Sequence, residues 1–224
     1  MITLNTLTSL IDDILLTIRN SNVVASESIN RLQIEQWITF YRAKLIKEEI
    51  DREGYINPEY IQHIDNIHLE KVNANGLNDG VLNQYEYVTE IEIPKTITTE
   101  KSNGILSITD VFGNEIQLTS KTRIPRQKYR KYTCNDYLAT IKDNKIYVYG
   151  MGEIEYINVA IVAENPADLN DCDFADKPYP IPAHRIASLK SLIINNEIRN
   201  MIIMPSDTVN NSHNDLQNIN VRND

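Results

Sequence analysis

The hydrophobic period of this chain changes twice, and those two changes constrain its architecture more than any other feature. Near the N-terminus Leu4, Leu7, Leu10, Ile11, Ile14, Leu15 and Ile18 recur at helical spacing, which predicts an amphipathic helix over about residues 3–19. A longer helix follows, with Ser28 as its N-cap. Ile29, Leu32, Trp37, Ile38, Tyr41, Leu45 and Ile46 line one of its faces, and Gly54 stops it in the C′ position. Trp37 reads as packing within that stripe. Asn57-Pro58-Glu59 offers a cap, a proline at N1 and an acid in the first turn, so a short helix containing His63 is expected there.

From about residue 68 the period becomes two. "VLNQYEYVTEIEIPKTI" alternates, "GILSITDVFGNEIQLTS" reads as two strands around Phe112-Gly113-Asn114, and "EIEYINVAIVAE" supplies another. "YLATIKDNKIYVYG" reads as a hairpin whose Asp143-Asn144 turn suits a primed type. Helical spacing returns after Pro182 with Ile186, Leu189, Leu192, Ile193 and Ile198. The expected fold is therefore α+β. Residues 1–66 and 182–204 form a helical bundle, 67–166 an antiparallel β unit of five to seven strands, 167–181 an Asp/Pro-rich linker and 206–224 a C-terminal arm. The arm is polar and rich in asparagine, so it lacks a core of its own.

A chain of 224 residues with 42% apolar and 24% charged residues is composed like a folded protein with one large domain or two small ones. Its net charge of −9 argues against a general nucleic-acid coat. Cys134 and Cys172 have no CxxC partner and no zinc spacing, so both read as reduced thiols. The N-terminal apolar run carries Asp12 and Asp13 and no basic leader, unlike a signal peptide. No apolar run reaches the ~20 residues that span a bilayer. A protein made and kept in a cytoplasm, without a membrane partner, is expected. Tyrosine (12) outnumbers phenylalanine (3), a bias typical of protein interfaces.

Two stretches are candidates for chemistry. In "ADLNDCDFADKPYPIPAHR" Asp168, Asp171, Asp173 and Asp176 are weak candidates for a cation site. An EF-hand register fails from either Asp168 or Asp171, because Gly is missing at position six and Glu at position twelve. Pro178, Pro180 and Pro182, spaced by two, favour an extended run into a helix with proline at N1, leaving the acids on a solvated turn. His63 and His68 lack the i, i+4 spacing of a helical metal pair. In "KTRIPRQKYRKY" the cations Lys121, Arg123, Arg126, Lys128, Arg130 and Lys131 stand without an acid. They suit an acidic partner surface, such as residues 164–176 of a neighbouring copy. They also suit nucleic-acid phosphate, with Tyr129 and Tyr132 stacking. The apolar run Met201, Ile202, Ile203 and Met204 needs burial and is a further partner-binding candidate.

Nucleotide-binding, serine-hydrolase and zinc-protease motifs are absent. No catalytic residue, metal or cofactor is assigned, and an enzyme is not expected.

Two segments carry a resemblance: "LIDDILLTIRNSNVVASESINRLQIEQWITFYRAKLIKEEI" and "YPIPAHRIASLKSLIINNEIRNMIIMPSDTVNNSHND". With them the chain resembles head-to-tail connector (adaptor or ring) virion proteins of short-tailed, crAss-like bacteriophages. The resemblance implies a structural protein of the virion that forms a homo-oligomeric ring, typically twelvefold, below the portal. It implies a helical bundle facing neighbours, a projecting β unit, and an arm docked on the portal protein or an adjacent tail ring. Such a ring lines the DNA passage and has non-specific DNA contact open to it. Two rivals remain: a virion binding module for fibre attachment or carbohydrate, and a small hydrolase using the carboxylates of 168–176.

Overall fold

The computed structural model describes residues 6–21, 29–72, 85–99, 103–127, 132, 136–150, 153–169, 174 and 177–199. The chain divides into two compact units, residues 1–45 with 172–224, and residues 46–171. The fold is α+β, with helices and a seven-stranded, mostly antiparallel sheet. Residues 206–224 and the Met201–Met204 run lie outside the described residues.

In the first unit, α1 (Leu7–Ser21) starts where Thr6 Oγ1 accepts from the Ser9 N–H at 3.2 Å. Its stripe of Leu7, Leu10, Ile11, Ile14, Leu15 and Ile18 is buried as the spacing predicts. α2 (Arg31–Glu53) belongs to this unit up to Leu45 and to the second unit from Ile46. Ser28, expected as its cap, lies outside the described residues. Asn30 stands before the helix, and its carbonyl accepts from the N–H groups of Gln33 and Ile34. Gly54 ends the helix as expected: its φ is +67°, and its N–H reaches the Ile50 carbonyl at 2.8 Å.

The buried face of α2 differs from the expected one. Ile34, Ile38, Tyr41, Arg42 and Ile46 are buried, whereas Leu32 is exposed and Leu45 and Trp37 are half-buried. The helix carries apolar residues around much of its circumference, so sequence spacing alone admits more than one stripe.

α4 (Ala183–Ile193) continues as a π-helical turn over Ile194–Ile198. Leu189 and Ile193 are four apart, but Ile193 and Ile198 are five apart, and all three are buried. The wider turn brings Ile198 back to the buried face, which a pure α-helix would rotate away. Pro182 sits at the N-cap of α4 with φ −57° and ψ 137°, rather than at N1 as expected.

In the second unit the helix expected around His63 is a single 3₁₀ turn at Pro58–Tyr60, followed by strand β1 (Gln62–Val72). The reason is a β-bulge. Asp65 and Asn66 together face Asn158 between the pairs Ile64↔Val159 and Ile67↔Ile157. Asn66 takes φ +57°, and its N–H donates to Asn158 Oδ1 at 2.8 Å. The inserted residue spaces Ile64 and Ile67 by three, which imitates a helix. Beyond the bulge β1 leaves β7 (Tyr156–Ile161) and pairs with β2 (Tyr85–Thr89) from Leu69 to Val72.

The remaining strands are β2 (Tyr85–Thr89), β3 (Ile105–Asp110), β4 (Gln117–Leu118), β5 (Leu138–Lys142), β6 (Lys145–Gly150) and β7 (Tyr156–Ile161). The β5–β6 hairpin turns at Asp143 and Asn144, with φ +53° and +58°; a primed turn is expected, and positive φ at both residues makes it type I′. The strand order is β3-β7-β1-β2-β6-β5-β4, which makes β3 and β4 the two ends. Residues 115–118 join those ends. Glu115 bridges to Thr109, and the Ile116 N–H reaches the Ile108 carbonyl at 2.7 Å. Gln117 and Leu118 then pair in parallel with Leu138 and Ala139. One short stretch is thus bonded to β3 at its start and to β5 at its end, and it joins the two ends of the sheet into a barrel. Ile67, Leu69, Tyr87, Ile108, Ile116, Ala139, Ile146, Val148, Ile157, Val159 and Ile161 fill its interior.

Candidate assembly surfaces

The basic stretch projects from the barrel after β4. Residues 121–123 form a turn and Ile124–Gln127 a single helical turn, α3. Buried Ile124 anchors it, while Lys121, Arg123 and Arg126 are exposed. Among the described residues none of these three cations has a salt-bridge partner. Arg123 borders an open depression floored by Leu118, Thr119, Ser120 and Thr140. Lys128, Arg130 and Lys131 lie outside the described residues, as does Tyr129. The described part is a local positive surface on an acidic protein, able to make screened ionic contacts.

Of the acidic candidates only Asp168 is described. It lies in a 3₁₀ turn, Pro166–Leu169, where its Oδ1 accepts from Asn165 Nδ2 at 2.7 Å. Asn165 Oδ1 in turn accepts from the Ala167 N–H at 3.2 Å. Asp171, Asp173 and Asp176 lie outside the described residues. Among the described residues no group of three or more His, Cys, Asp or Glu side chains is placed to hold a metal ion.

Downstream, the proline run is tied to α2 by a residue that sequence spacing does not single out. Arg42 is fully buried, donates from Nε to the Pro180 carbonyl at 2.8 Å, and places its guanidinium 5.7 Å from the Tyr179 ring centroid. Burial raises the Tyr179 phenol above its usual range, while the Arg42 charge acts the other way. Tyr41, one residue earlier, donates to Glu197 Oε1 at 2.6 Å. That carboxylate, followed by burial, raises the Tyr41 pKa. Lys190 on α4 pairs with Asp13 on α1. These contacts join segments more than a hundred residues apart.

A further surface is the turn after β3, which the sequence marks only as a turn. Asp110 is buried and organises it. Its Oδ1 accepts from the N–H groups of Phe112 at 2.9 Å and Asn114 at 2.8 Å, and its Oδ2 from Asn114 Nδ2 at 2.8 Å. Gly113, at φ +85°, sends its N–H to the Asp110 carbonyl at 3.1 Å. Burial raises the Asp110 pKa, but the bonds from Asn114, Phe112 and Gly113 outweigh it, and the carboxyl is held below its usual range. Against this fixed turn the Phe112 side chain stands 87% exposed.

Among the described residues no helix is long and apolar enough to cross a membrane. A family model described as phage tail ring protein 2 matches residues 9–216, nearly the whole chain. No curated protein matches it.

Proposed function

The chain belongs to the crAss-like phage tail ring protein 2 family, and from that premise we propose that it is a structural component of the virion whose copies close into a ring at the head-tail junction. The family match over residues 9–216 carries this reading. The ring, twelvefold in this reading, docks on the portal protein or on an adjacent tail ring and lines the DNA passage. The protein is made in the host cytoplasm and has no enzymatic role. The helices face neighbouring copies in this reading. Residues 206–224, with Met201–Met204 before them, reach the portal or a neighbour.

The exposed cations Lys121, Arg123 and Arg126 support an ionic contact. Its partner in this reading is an acidic surface of the next copy, with DNA phosphate as the other outcome. Charge reversal at Arg123, Arg126 and Lys128 then weakens assembly and reduces its salt dependence. Normal assembly at low salt would leave this stretch as a solvated face.

The deciding experiment is the mass of the full chain, alone and with the portal protein. A large closed oligomer in either sample is expected, and a monomer in both overturns the ring. Deletion of residues 206–224 is expected to leave the fold intact and lower portal binding or incorporation into virions. A hydrolytic turnover lost when Asp171, Asp173 and Asp176 all become Asn, with the fold intact, would establish the hydrolase rival instead.

A further inference from the structure

We infer that the Val111–Phe112 tip of the barrel is the knob of the contact between neighbouring copies, and that it seats on the outward face of α2 of the next copy, between Leu32 and Phe40. The inference rests on the ring reading above. Three observations lead to it.

First, Phe112 is 87% exposed on a turn with little freedom left to lose. Asp110 accepts three hydrogen bonds from the turn, and two more run between the backbones of Asp110, Gly113 and Asn114. Holding an aromatic ring in water on a fixed backbone gains nothing for the folded chain. It does lower the entropy cost of docking, and aromatic residues in fixed positions are typical anchors of interfaces.

Second, α2 carries a complementary surface. Leu32 and Phe40 are 64% and 62% exposed. At 100° per residue both lie on the side away from buried Ile34, Ile38 and Tyr41, with Gln36 between them. A helix apolar on two faces and covered on one presents the other to a partner.

Third, a ring is built from heterologous contacts, in which two different patches of the same chain meet across each boundary. A projecting knob and a shallow helical face satisfy that requirement, whereas two copies of either patch do not. Charge fits the same pairing: Glu115 is exposed beside the knob, and Lys47 is exposed seven residues after Phe40 on α2.

The test uses the full chain with p-benzoylphenylalanine in place of Phe112, assembled from isotopically light and heavy copies and then illuminated. Light-heavy crosslinks within residues 32–40 are expected. Crosslinks mapping elsewhere, or to another tail protein, overturn the inference, and so does an assembled ring that gives none. Phe112→Ser is expected to weaken association by about tenfold or more, with an unchanged melting temperature of the unassembled chain. Phe112→Trp is expected to retain assembly. A Phe112→Ser chain that closes rings like the unsubstituted protein refutes the knob and leaves the ring reading standing. If the unsubstituted chain forms no oligomer, alone or with portal, both fall together.

Discussion

In the barrel, Ile146, Val148, Ile157, Val159 and Ile161 meet in an interior whose polar backbone is satisfied by the ladder around it. In the helical unit, Ile34, Ile38, Leu189 and Ile193 are equally buried, yet Arg42 is fully buried in the same unit. There Arg42 bonds the Pro180 carbonyl and Tyr41 bonds Glu197. The barrel thus keeps its register through strand pairing and alternation. Helices have no ladder to one another, so the helical unit aligns α2 with the segment at 180 and with α4 through a few directional polar bonds. The first arrangement is sensitive to lost volume, the second to lost partners.

The largest expected effect follows from that difference. Ile157→Ala removes a fully buried side chain from the barrel interior and is expected to cost roughly 4 kcal/mol, seen as an earlier urea midpoint. A cost below about 1 kcal/mol would mean that the barrel collapses onto the gap and is not tightly packed.

Arg42→Met comes next, with about 2 kcal/mol expected from the unpaired Pro180 carbonyl. Hydrogen exchange should quicken around residues 179–182 more than in β5–β7. Unchanged stability and exchange would show that apolar packing alone holds the segment, as some buried ions permit.

Tyr41→Phe is smaller, about 1 kcal/mol, because Glu197 is only half-buried and water can replace the phenol. Its loss should lower the thermal midpoint of the helical unit and leave the barrel unchanged.

The smallest effect is electrostatic and lies in the barrel. Asp110 has a folded pKa below its unfolded value. Its contribution is therefore present above the ordinary aspartate range near 3.9 and is lost as pH falls through the lower, folded pKa. Asp110→Asn should be less stable than the parent at neutral pH, and the gap should narrow on acidification below about pH 4. A gap that does not change with pH would mean that the turn does not depend on the carboxylate charge.

Much of this fold is legible in the chain. α1 lies within its apolar stripe, Gly54 takes the left-handed conformation that ends α2, and Asp143-Asn144 form the I′ turn between β5 and β6. Each depends on a few neighbouring residues. β1 is not legible, because the bulge at Asp65-Asn66 turns alternation into a spacing of three, and its cause is Asn158, far along the chain. The α2 face is offset for a related reason: several stripes are apolar, and only the neighbours choose one. The basic cluster is visible as composition. The Phe112 tip is not, since "DVFGN" reads as a turn until the burial of Asp110 and the exposure of the ring are both known.

The sequence by itself determined the apolar stripe of α1, the positive φ of Gly54 and of the Asp143-Asn144 turn, and that neither a nucleotide motif nor an EF-hand register is present. Those properties depend on near neighbours, through backbone sterics and side-chain spacing. Tertiary structure alone decided that residues 115–118 close the sheet, that Arg42 is buried on Pro180, and that the π turn at 194–198 returns Ile198 to the core. Each of these depends on which distant segment supplies the missing hydrogen-bond partner or the missing apolar wall. That choice is made by packing and backbone satisfaction over the whole unit, which no short stretch of sequence encodes.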